Sequence, residues 1–255
     1  MDDWKLIHDY ADTGAEAAFT ALVQRHINLV HSTALRRLND THAAQEVSQA
    51  VFCLLAEKVR TLDPKTSLVG WLYQTTCFKS SEYRRAAVRR FAREQEAAHM
   101  NPTSTTSEAA SDVNWVQLAP ILDDAMAHLS ETDRLAILLR YFQNQPLREV
   151  GLALGLEEDA ARKRVSRALD KLRDWFSQKG IAATPTGLAG LVSVHAVEAA
   201  PLPLAEAIVK AALLAGATVA GTVGSAGVAY AATLTLEGAI WTVSTISQVT
   251  DPTCS

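Results

Sequence analysis

LREVGLALGLEEDAARKRVSRALDKLR, residues Leu147–Arg173, reads as a helix, a turn centred on glycine, and a second, cationic helix. Val150, Leu154 and Leu156 point one way, and Ala161, Val165, Ala168 and Leu172 continue an apolar stripe at helical intervals. Gly155 falls where the chain must turn sharply, and glycine tolerates the positive φ that would end the first helix. Glu157, Glu158 and Asp159 place negative charge at the positive N-terminal end of the next helix. Arg162, Lys163, Arg164, Arg167, Lys171 and Arg173 then load that helix with cations. A basic helix alone is most often a solvated face. A short helix and a glycine turn in front of it make a helix-turn-helix, a shape that fits its second helix into a DNA groove.

The rest of the chain is consistent with such a role. At 255 residues, 48% hydrophobic and 20% charged, it has ample material for one or two domains with packed cores. The net charge of -4 is spread unevenly. Residues 79–93 carry six cations against one acid, residues 158–173 six against three, and residues 94–157 three against ten. Two basic helices on an otherwise acidic scaffold point to two separate nucleic-acid contacts. Cys53, Cys77 and Cys254 are odd in number and far apart, without a CxxC or Cys/His cluster, which argues for a reducing cytoplasm and against structural zinc. The N-terminus, MDDWKLIHDY, is acidic and amphipathic and does not read as a signal peptide. No Walker-type glycine loop, serine elbow or His/acid metal spacing is present, so neither an enzyme nor a cofactor or metal site is expected.

The predicted fold class is all-α, with two helical modules joined by a flexible linker and followed by an Ala/Gly-rich extension. Residues 1–95 form the first module, with helices over Ala15–Leu38, Thr41–Thr61 and Ser67–Glu96. Asp40 or Thr41 opens the second of these, and Asp63-Pro64 breaks the chain before the third. Residues 96–113, rich in Ser and Thr and containing Pro102, read as the linker. Residues 114–178 form the second module, with helices over Val116–His128 and Glu131–Phe142 before the helix-turn-helix pair. In the third helix of the first module, Trp71, Tyr73, Phe78, Tyr83 and Phe91 are interleaved with Lys79, Arg84, Arg85, Arg89, Arg90 and Arg93. Rings stack on unpaired bases at about 1–3 kcal/mol each while cations hold the backbone. The plainer reading of Trp71, Leu72 and Phe78 is core.

With these residues in view, 1–178 resembles a sigma factor of the sigma-70 family, of the extracytoplasmic-function (ECF) type. AFTALVQRHINLVHSTALRRL and DTHAAQEVSQAVFCLLAEKV resemble region 2, which grips the largest subunit of core RNA polymerase; the resemblance implies a polymerase-binding patch of Gln45, Glu46, Gln49 and Phe52. GWLYQTTCFKSSEYRR resembles the segment that melts and reads the -10 element, which implies Trp71, Tyr73, Thr75, Thr76, Lys79, Arg84 and Arg85 as DNA contacts. Many relatives have Arg-Asn where this chain has Cys77-Phe78, so the residue that pockets the flipped base stays open. The second module resembles region 4, whose last helix reads the -35 element; Arg162, Lys163, Arg164 and Arg167 would face DNA. The resemblance implies core polymerase and promoter DNA as partners, an anti-sigma factor or other regulator as a further one, and a non-enzymatic role in transcription initiation. A polymerase-independent helix-turn-helix regulator is the alternative; it accounts for residues 114–178 and leaves residues 15–95 without a task.

Residues 179–255 exceed what a minimal ECF factor needs and carry only Lys179 and Lys210 as cations. The stretch Ala211–Leu236 has no charge and enough length to span a bilayer, with Gly216, Gly221, Gly224 and Gly227 allowing close helix packing. It is only weakly apolar and lacks a flanking cationic cluster. A regulatory or partner-docking appendage is favoured over a membrane tether or a disordered segment.

Overall fold

Short turns and, at Asp40, Ser130 and Thr184, side-chain caps help set the helices of this chain in their order. The computed structural model describes residues 3–97, 115–181 and 183–220, together with the residue pairs 235–236 and 239–240. The expected linker, from residue 98 on, lies outside the described residues, as do Cys254, the side chains of Phe91 and Arg93, and most of the Ala211–Leu236 stretch. The first module comprises α1 (Asp3–Thr13), α2 (Glu16–Leu38), α3 (Thr41–Lys58) and α4 (Leu68–Ala97). The second comprises α5 (Trp115–Ala127), α6 (Glu131–Ile137), a π-turn (Leu138–Phe142), α7 (Leu147–Leu154) and α8 (Glu158–Gln178). The extension adds α9 (Pro185–His195) and α10 (Leu202–Ala220). Among the described residues the one strand pairing is the two-residue antiparallel ladder of Thr235–Leu236 with Ala239–Ile240. The fold is all-α.

Local chemistry explains the boundaries. Asn39 closes α2 in the left-handed conformation (φ 51°), and Asp40 opens α3 by accepting from the His42 and Ala43 amides at 2.8 and 3.0 Å. Asp40, not Thr41, is therefore the cap. The first module has four helices, within the three-to-four-helix bundle expected; the one not placed from the sequence is α1, separated from α2 by Gly14 at φ 67°. Gly155 adopts φ 66° and ends α7 as its position in the sequence suggested. Gly151 is fixed by space, since a Cβ there would lie 2.6 Å from the Leu156 carbonyl oxygen.

Two cores result. Phe19, Leu22, Val30, Val51, Phe52, Leu55 and Leu72 centre the first. Leu118, Met126, Ile137, Val150, Val165, Leu172 and Phe176 centre the second, which also takes Leu29, Val69 and Tyr73 from α2 and α4. The modules thus share a seam. The extension enters both: Leu188, Val192 and Ala196 join the second core, and Leu204, Ile208, Val209 and Ala212 join the first. Burying side chains of this kind stabilises by about 1.5–3 kcal/mol each, so 183–213 is a structural part of the folded unit. The sequence suggested a regulatory appendage but not the surfaces it packs on, because the apolar stripe of α10 has no counterpart next to it in sequence. Among the described residues no helix is long and apolar enough to cross a membrane.

Candidate nucleic-acid interface

α8 presents its cations on the side away from the core, because Ala161, Val165, Ala168 and Leu172 pack inward at helical spacing. Arg162, Lys163 and Arg167 are exposed, with Ser166 between them, a residue that charge-based reading passes over. Arg162 makes surface pairs with Glu158 at 3.4 Å and Asp159 at 3.1 Å, contacts weak enough to exchange for phosphate. Arg164 differs. Its Nη1 donates to Asp133 Oδ1 at 2.9 Å, while Lys171 Nζ donates to Asp133 Oδ2 at 2.6 Å. Burial works to raise the Asp133 pKa, but hydrogen bonds from Lys171, Ser130 and Arg164 and the Lys171 charge hold it below the ordinary carboxylate value. Asp133 therefore braces α8 from α6, and Arg164 is engaged within the module.

The α4 candidates divide by depth. Arg84 and Arg85 are exposed, and Lys79 and Thr75 are half-buried, with Lys79 Nζ 2.9 Å from Glu82. Trp71 is half-buried against the first core. Tyr73 and Thr76 are fully buried: the Tyr73 hydroxyl donates to Asp123 Oδ1 at 2.8 Å, and the Thr76 hydroxyl donates to the Leu72 carbonyl at 2.7 Å. Phe78, which the sequence leaves ambiguous, is 57% exposed, with Lys79 Nζ 6.0 Å from its ring centre. It lies with Arg85 at a cavity of about 320 Å³ whose walls include Arg37, Tyr73, Cys77 and Asp123. Burial and the Asp123 charge push the Cys77 thiol up to about 12, against smaller opposing pulls from Arg37, Tyr73 and Arg36.

On α3, Gln45, Glu46 and Gln49 are half-buried and share a face, whereas Phe52 is in the core and offers no surface contact. Glu46 lies 2.9 Å from His42 Nδ1; burial raises its pKa against the pull of His42.

The residues that sequence reading missed lie at the seam. Asp123 of α5 accepts from Arg36 Nε at 3.2 Å and Arg36 Nη2 at 3.1 Å in addition to Tyr73. Arg36 also donates to Thr33 Oγ1 and to the Ala196 carbonyl, and its guanidinium lies 5.1 Å from the Phe142 ring centre. Arg37 adds longer bonds, to Asp124 and Ser81 at 3.3 Å.

Two family profiles match the two modules in order: Sigma-70 region 2 over residues 22–94, and Sigma-70 region 4 over residues 125–174. Among curated relatives, the RNA polymerase sigma factor CarQ of Myxococcus xanthus is 28% identical, over 65% of this chain and 92% of its own. The ECF RNA polymerase sigma factor RpoE of Cereibacter sphaeroides is 28% identical, over 69% of this chain and 96% of its own. The probable sigma factor RfaY of Xanthomonas campestris is 27% identical over 81% of this chain and 52% of its own, an alignment that must run past Gln178 into the extension. A solved structure of CnrH in complex with the cytosolic domain of CnrY is similar at 22% identity and a TM-score of 0.35, covering 69% of this chain and 99% of that one. With both diagnostic regions present in order, and CarQ and RpoE matched over more than nine-tenths of their own length, the chain belongs to the sigma-70 family, as a factor of the ECF type.

Proposed function

We infer that this chain gives core RNA polymerase its promoter specificity: it binds the polymerase, directs it to promoters and initiates DNA-templated transcription. The observation that carries this reading is the pairing, in one chain, of a region 2 module bearing a cationic helix with a region 4 helix-turn-helix whose α8 cations face solvent. A regulator acting without polymerase would need only the second module. The chemistry is the polymerase's, and the work of this chain is recognition in the cytoplasm, where DNA and polymerase are found.

In our reading, Arg162, Lys163 and Arg167 contact the -35 element, with arginines able to pair bidentately with guanine at about 1–3 kcal/mol of discrimination. Arg164 and Lys171 set the pose of α8 through Asp133. Lys79, Arg84 and Arg85 hold the -10 strand together with Trp71, Thr75 and Thr76, and Tyr73 joins them once the modules part. Phe78, exposed beside Arg85, is the ring best placed to stack on an unpaired base and stands in for the Arg-Asn pair of relatives. Gln45, Glu46 and Gln49 form the polymerase patch, with Phe52 supporting it from below. The modules correspond to residues 1–95 and 114–178, and an anti-sigma partner is a further expectation.

The test is run-off transcription on fragmented genomic DNA of the source organism by its core polymerase, with and without this chain. Discrete new start sites that weaken with Arg162→Ala and Arg167→Ala support the reading. No new starts from a folded chain that binds duplex DNA on its own would overturn it.

A further inference from the structure

The segment between α9 and α10 runs along α2 in a regular way. Asn28, Ser32 and Arg36 stand one helical turn apart, and each engages the backbone of the extension at every second residue. Asn28 Oδ1 accepts from the Ala200 amide at 3.0 Å. The Ser32 hydroxyl donates to the Glu198 carbonyl at 2.9 Å and accepts from the Glu198 amide at 2.6 Å, and Arg36 donates to the Ala196 carbonyl. Four helical residues rise about 6.0 Å and two extended residues span about 6.6 Å, so the two ladders keep step over the whole contact. At either end the strap is anchored by burial, α9 in the second core and α10 in the first.

The consequence for DNA binding is geometric. Elements centred near -35 and -10 are about 25 base pairs apart, or about 85 Å at 3.4 Å per pair. A folded unit of this length has a radius of gyration of about 17 Å and is roughly 45 Å across. With Tyr73 buried on Asp123 and both modules in one unit, the chain cannot reach both elements. The modules cannot separate to that distance while both helices stay docked, because the eight Cα–Cα steps from Ala196 to Leu204 extend to at most about 29 Å.

We propose that residues 183–213 are a built-in restraint that holds the two modules closed, so that the chain engages core polymerase and promoter DNA productively only when this strap leaves α2 or one of its cores. The proposal rests on the sigma-factor reading. Its test uses the full chain carrying Asn28→Ala/Ser32→Ala, which removes two anchors and no apolar packing, and separately Leu204→Asp/Ile208→Asp, which unseats α10. Circular dichroism, together with hydrogen exchange of α2 and α3, checks that the first module stays folded. Exchange across 185–213 reads strap release, and run-off transcription with core polymerase reads function.

The anchor variant should raise both exchange and transcript yield by about 5- to 30-fold, the effect of one or two kcal/mol. The α10 variant should raise them further. Faster exchange with unchanged transcription would reduce the strap to a structural element and overturn the proposal. Unchanged exchange in both folded variants would equally overturn it. Faster exchange with no transcription from any form, wild type included, would locate the failure in the sigma-factor reading, and the restraint would fall with it.

Discussion

Replacing Asp123 with leucine removes the acceptor at the centre of the seam. Asp123 and Arg36 are almost wholly dry, with side-chain exposures of 1% and 6%, and the carboxylate accepts two guanidinium bonds and one phenol bond. In Asp123→Leu the guanidinium stays buried with only Thr33 Oγ1, the Ala196 carbonyl and the Phe142 ring around it. Stranding one partner of a buried pair costs about 3–5 kcal/mol, because the remaining charge keeps its desolvation penalty and loses its compensation. For a chain of this size that lowers Tm by about 6–20 °C. Arg36→Met should cost a comparable amount by stranding Asp123. The double variant should be less destabilised than the sum of the singles, by at least about 1.5 kcal/mol, since it removes both charges at once. Urea unfolding of all four forms measures this cycle. The half-exposed Arg37–Asp124 pair at 3.3 Å is the control and should be worth about 0–1 kcal/mol. Single variants within 1 kcal/mol of wild type, or coupling below about 0.5 kcal/mol, would refute the claim that this buried pair joins the modules.

Other expectations follow from the same geometry. Arg162→Ala, Lys163→Ala and Arg167→Ala should each weaken -35-dependent promoter binding, and any that lose a phosphate contact should reduce the salt slope by about one, read by titration at several salt concentrations. Arg164→Ala should instead lower thermal stability through its lost bond to Asp133; a loss of DNA affinity with unchanged stability would contradict that. Gly151→Ala should destabilise by about 1–3 kcal/mol in urea, because its Cβ meets a backbone oxygen at 2.6 Å and the α7–α8 turn must shift. Burial lowers the pKa of His31, against an upward pull from Glu198, and neither ring nitrogen has a hydrogen-bond partner. Above its ordinary value near 6.5 the imidazole is neutral folded or unfolded and contributes nothing to the pH dependence. Below it the unfolded chain takes up a proton that the folded chain refuses, so stability falls as pH drops through this window. His31→Leu should flatten that fall in melts between pH 7 and pH 5, and an unchanged slope would count against it.

Much of the fold was legible residue by residue. The starts of α2, α3 and α4 fall within a residue of where periodicity and capping placed them, and Gly155 takes the positive φ that its turn demanded. Region 2 and region 4 were readable from the motifs around Gln45 and Arg162, and both family profiles fall on them. The candidate DNA residues were legible only as types: aromatic rings and cations on one helix are visible in the chain, but their depth is not. Tyr73 and Thr76 proved buried, Phe78 exposed, and Arg164 tied to Asp133.

The sequence by itself determined where helices begin and end, which faces are apolar and which helices carry positive charge, because each depends on residues within one or two turns of each other. Only the tertiary structure decided what those faces meet. Arg36 finds Asp123 at a separation of 87 residues and the Ala196 carbonyl at 160, and α10 completes a core begun by α1. Such partners leave no local pattern, since an arginine that will be buried and an arginine that will stay wet are written with the same letter. Their placement is set by the global balance of burial and desolvation, which exists only once the chain has folded.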